Sequence, residues 1–182
     1  GNRGFLHPAG RRAYVRAILD LDARCPDNDY GRLEMRWLAA RNLAVAEPES
    51  SAATVVALCD RIIAGRPSLT PREYYYLYDA YGIKGEALSQ LGRVHEAEEL
   101  LLRSHDALRP FNQSGLVFSI WRLVRHARRT GRWEPLCAAL PAYAEAPPPR
   151  GVYETPERTL IWAKDHNDVA WAIVPRADLP VS

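Results

Sequence analysis

Cysteine is scarce in this chain of 182 residues, and so is lysine. The three cysteines, Cys25, Cys59 and Cys137, are far apart, odd in number and in no CxxC spacing. That pattern excludes a disulfide framework and a zinc knuckle, and reduced thiols in a cytoplasmic protein are the expectation. Apolar runs are short as well. None approaches the roughly 20 residues that a membrane-spanning helix needs, and no secretory leader pattern is visible. The first residue is Gly1, not Met, as expected of a piece cut from a longer protein. Nucleotide-binding signatures are missing: there is no GxGxxG and no Walker-type loop. There is also no GxSxG elbow and no HExxH pair, and His7, His95, His105, His126 and His166 are scattered. Neither cofactor nor metal is expected.

Apolar residues make up 47% of the chain and charged residues 25%, enough apolar content to bury a core without staples. The formal charge of +2 is too small to point to nucleic acid. By length the chain is one domain or one array of repeats.

Its periodicity is helical. Residues 8–24 have Tyr14, Val15, Ile18, Leu19 and Leu21 on an apolar side, with Arg11, Arg12, Arg16 and Asp20 toward water. A second helix is expected over about 30–46, with Leu33, Trp37, Ala40, Leu43 and Ala44 inward. A third covers about 52–64 and ends at Gly65-Arg66-Pro67. Next come Thr70, a cap, and Pro71, a first-turn proline, ahead of a long helix. Gly92 breaks that helix, and another runs from Val94 to Leu108 until Pro110 stops it. Phe111–Thr130 forms a further helix, and one more begins near Trp133, with Pro141 expected to end or kink it.

The stretch 70–110 places Tyr81 and Leu88 as bulk, with Gly85 between them where a neighbour's backbone comes close. Ala97 and Ser104 are small and Leu101 large on the second helix. With Gly92 and Pro110, these residues resemble a tetratricopeptide repeat, a helix–turn–helix unit of about 34 residues that stacks on copies of itself. Lys84 stands where an apolar residue is usual, and Ser104 where alanine is. Trp37, Ala44, Ala53 and Ala57 echo the pattern before it. Ile120, Leu123, Val124, Ala127, Gly131, Leu136 and Leu140 echo it afterwards. The expected fold is therefore all-α: an N-terminal helix and three antiparallel hairpins stacked as a short right-handed solenoid over residues 1–146. The Pro-rich connector and C-terminal segment, 147–182, are expected to pack on it. Residues 158–174 are expected to be helical, with a β-hairpin around Asp165-His166-Asn167-Asp168 as the alternative; that polar cluster reads as a capped turn or, alternatively, as a source of a general base.

Arginine is the sharper chemical signal. From Ala107 to Trp133 there are six arginines and no acidic residue. Arg122, Arg125 and Arg129 line one side of a helix, with Arg128 on its flank. The resemblance implies that the first helix of each hairpin lines a concave, peptide-taking surface. That surface would present Phe118, Trp121, Arg122, Arg125, Arg128 and Arg129, and in the preceding hairpin Asp79, Ile83, Glu86, Ser89 and Gln90. Guanidinium forks beside aromatic rings suit carboxylate or phosphate, so an acidic or phosphorylated protein segment is the expected partner. A solvated or internally paired basic side is the plain alternative reading. Other classes remain open, namely the helical part of a larger enzyme or a purely architectural domain. Tyr74, Tyr75, Tyr76, Tyr78 and Tyr81 surround their helix, so they divide between core and surface.

Overall fold

The computed structural model describes residues 8–24, 30–65, 71–109, 113–144 and 168. Among them are seven helices and no strand: α1 (Pro8–Arg24), α2 (Tyr30–Ala46), α3 (Ala52–Ala64), α4 (Pro71–Gln90), α5 (Val94–Leu108), α6 (Gln113–Thr130) and α7 (Glu134–Ala144). The chain is all-α, and it divides into two compact units, Gly1–Ser104 and His105–Ser182. The connector at 146–151 and the choice between helix and hairpin for 158–174 fall outside the described residues, except that Asp168 is helical.

In the first unit α1 packs on α2, α2 on α3, and α4 on both α2 and α3. The core is Val15, Ile18, Trp37, Ala39, Ala40, Val55, Cys59, Ile62, Tyr76, Ala80 and Ile83 with their neighbours. The α4–α5 hairpin closes at Gly92. Its φ of +74° suits glycine, because an L side chain there would crowd its own backbone. Gly92 N–H donates to the Ser89 carbonyl and Arg93 N–H to the Leu88 carbonyl, the paired bonds of a Schellman ending. Arg93 then forks Glu96 at 2.7 and 2.6 Å over the first turn of α5.

The helices meet where the residue sizes indicated. A Cβ built on Gly85 would lie 3.0 Å from the Ala97 carbonyl oxygen and 2.9 Å from Leu101 Cγ. Tyr81, Leu88, Ala97, Leu101 and Ser104 are all buried. The two unusual residues have partners. Ser104 Oγ donates to the Tyr78 carbonyl at 2.8 Å, and Lys84 Nζ reaches Asp60 at 2.6 Å.

The first hairpin departs from the expected register. Ala53 and Ala57 are exposed, and the buried positions of α3 are Ala52, Val55, Leu58, Cys59 and Ile62. The cause is the turn. Residues 47–51 join α2 to α3, whereas only 91–93 join α4 to α5. Counted from the start of the second helix, Val55, Cys59 and Ile62 stand where Ala97, Leu101 and Ser104 stand in the next hairpin. Ser51 Oγ closes this longer turn by donating to the Glu47 carbonyl at 2.5 Å, with the Leu43 carbonyl 3.2 Å away.

Leu21 is another correction. It lies on the flank of α1 and is 48% exposed, and Asp22 occupies the buried side instead. A carboxylate is tolerable there because arginines surround it. Arg36 Nε donates to Asp22 Oδ1 at 2.8 Å, Arg32 Nε lies 3.2 Å from the same oxygen, and Arg61 reaches Oδ2 at 3.6 Å. Arg32 also donates to the Asp22 carbonyl. The tyrosines divide as their spacing requires: Tyr76 and Tyr81 are buried, Tyr75 and Tyr78 half-buried, Tyr74 exposed.

In the second unit α6 packs on α7. Gly131, at φ +75°, donates to the Ala127 carbonyl at 2.8 Å and ends α6. Ile120, Leu123, Val124 and Ala127 are buried, as are Trp133, Leu136, Ala139 and Tyr143. Pro141 does not stop α7, which continues to Ala144. Its missing N–H leaves one backbone bond unmade near the helix end, a smaller loss there than in a long helix interior.

Replacing Gly85 by alanine is expected to destabilise the protein by about 1–3 kcal/mol, although alanine favours helix over glycine by about 1 kcal/mol. Ala97→Trp is expected to cost at least as much. Urea unfolding checks both, and a neutral effect of either would mean that the helices separate easily at this point.

Candidate interaction surface on α6

Helix α6 reads QSGLVFSIWRLVRHARRT and contains no acidic side chain. Its buried side is set by Leu116, Ile120, Leu123, Val124 and Ala127, spaced as one helical face. The opposite side carries the expected contacts. Phe118 is 42% exposed, Arg125, Arg128 and Arg129 are exposed, and Trp121 is half-buried.

Arg122 differs. It is only 6% exposed, because its position lies between Leu123 and the open side. The open cationic group of the helix is therefore Arg125, Arg128 and Arg129, with Phe118 two turns toward the N-terminus. Phe118, Arg122, Arg125, Arg128 and Arg129 each also engage another group of the chain. Arg128 and Arg129 fall in the last turn, where positive charge complements the helix dipole irrespective of any ligand.

The corresponding side of α4, in the first unit, is not an open surface. Asp79, Ile83 and Ser89 are buried there, Glu86 and Gln90 are half-buried, and α4 lies against α2 and α3. Trp37 Nε1 donates to Asp79 Oδ2 at 2.7 Å, while the Arg41 guanidinium sits 5.2 Å from the Trp37 ring centre. Asp79 is thus part of the packing between helices, and its role in a peptide surface falls away. Sequence spacing alone had no means of finding that bond, since Trp37 and Asp79 are 42 residues apart.

Among the described residues no three His, Cys, Asp or Glu side chains gather as metal ligands, and no helix is long and apolar enough to cross a membrane. Cys59 is buried and Cys137 half-buried, and neither is in a disulfide. His166, Asp165 and Asn167 lie outside the described residues. Compared with family models, curated proteins and solved structures, the chain matches none.

The two sides of α6 should respond differently to truncation. Leu123→Ala is expected to cost about 2–5 kcal/mol, whereas Phe118→Ala should stay within about 1 kcal/mol. Chemical denaturation of both variants checks this, and equal losses would mean that Phe118 belongs to the core.

Proposed function

We propose that this chain is a tetratricopeptide-like scaffold module that holds an acidic or phosphorylated protein segment against the open side of α6. The observation that carries this reading is the exposure of Phe118, Arg125, Arg128 and Arg129 on a helix without a single acid. The glycine-closed hairpin at Gly92 and the close approach at Gly85 support the repeat-like part of it. So does the seating of α4 on both helices of the preceding hairpin.

The energetics assign different roles to the two residue types. An exposed guanidinium–carboxylate pair contributes about 0–1 kcal/mol, and these arginines exchange one partner for another on binding. Charge therefore selects the ligand and orients it, through bidentate hydrogen bonds that a phosphate, carrying about two negative charges, accepts more strongly than a carboxylate. Apolar contact with Phe118 and the accessible edge of Trp121 supplies much of the affinity. Such binding weakens as salt rises, because the exposed charges are screened over about 8–10 Å at moderate ionic strength. Localisation in the cytoplasm, where phosphorylated and acidic segments are abundant, is part of the same proposal.

The test uses a synthetic glutamate-rich peptide and its phosphoserine counterpart, titrated against the full chain with tryptophan fluorescence as readout. Arg125→Glu combined with Arg129→Glu is expected to weaken binding at least about tenfold, or about 1.4 kcal/mol, with helicity by circular dichroism unchanged. Equal affinity in the variant removes the assignment of α6.

A further inference from the structure

His105 is 1% exposed, and its Nδ1 lies 2.9 Å from Ser119 Oγ on α6. The Ser119 hydroxyl has one proton, and it donates that proton to the Leu116 carbonyl at 2.8 Å. Ser119 therefore accepts from His105, and the neutral ring holds its proton on Nδ1. The lone pair is left on Nε2, which is shut off from water and has no hydrogen-bond partner among the described residues. A buried lone pair without a donor is tolerated in a neutral ring, but a proton added there brings a charge into a site without water.

We propose that His105 is an acid-operated latch in the second unit: its neutral ring ties the end of α5 to α6 through Ser119, and protonation at Nε2 loosens that packing. The groups around the ring set the direction. Burial has the largest effect and holds the ring's pKa below the ordinary histidine value. Asp106, on the same helix, favours the charged ring, Arg109 opposes it, and the Ala139 backbone on α7 favours it. From α6 the facing group is the Ser119 hydroxyl.

The unfolded chain takes up this proton near the ordinary value of about 6.5, and the folded chain only at lower pH. Between those points the unfolded chain binds more protons, so stability rises with pH and is withdrawn as pH falls. The contribution is fully present above about pH 7 and shrinks until the folded ring itself is charged.

The full chain tests this in two ways. The His105 ring resonance, followed by NMR, should titrate below the ordinary histidine value of about 6.5. Thermal melting should drop by several degrees between about pH 7.5 and about pH 5.5, and the drop should shrink in His105→Asn. Asparagine keeps a donor where Nδ1 stood and cannot take up the proton. A His105 ring titrating at or above that value overturns the proposal, as does an equal acid loss in the asparagine variant. If that variant fails to fold, the ring titration in the unmodified chain decides.

Discussion

The backbone of α5 at Ala97 occupies the space that a side chain at position 85 would need. This close approach governs the α4–α5 hairpin. Glycine at 85 lets the helices come together, and Ala97 and Ser104 keep the facing surface low. Tyr81, Leu88 and Leu101 fill the space on either side of the contact. Because Ser104 faces the Tyr78 carbonyl across the pair, the contact is anchored by a hydrogen bond as well as by packing. With α5 held on one side and α2 and α3 on the other, α4 has little surface left to offer a ligand. That is why Asp79 and Ile83 are structural here.

Among the described residues, most helix limits were legible because punctuation marks them. Pro71, Gly92 and Gly131 act through the backbone, and a backbone requirement depends on a few adjacent residues. Register between hairpins was less legible. The echo built on Ala53 and Ala57 assumed a short turn, and two extra residues before α3 rotate its buried side onto Val55, Cys59 and Ile62. Turn length is written in the sequence, but its effect on which side faces inward appears only when the second helix is counted from its own start. Pro141 shows a similar limit: near a helix end, a residue that lacks an N–H costs one bond and does not break the element.

Polar groups of the interior were the least legible. Arg32, Arg36 and Arg61 converge on Asp22 from two other helices. Trp37 and Asp79 form a buried donor–acceptor pair, and His105 and Ser119 form another. Such pairs join residues distant along the chain, and nothing local requires them. Arg122 belongs with them. Helical spacing correctly put it in line with Arg125 and Arg129, but whether a long side chain is covered depends on what packs beside it. The exposure of Phe118, Arg125, Arg128 and Arg129 followed more simply from the apolar side of α6, which leaves those positions opposite the core.

The reading of α6 as a ligand surface depends on where an anionic segment settles. Backbone amide shifts of the isotope-labelled chain, recorded while a phosphoserine-containing acidic peptide is added, report this directly. Perturbations that cluster on residues 117–129, weaken with added salt and saturate at one equivalent of peptide are the predicted result. Shifts spread evenly over the surface, or centred on α2 and α3, would contradict it.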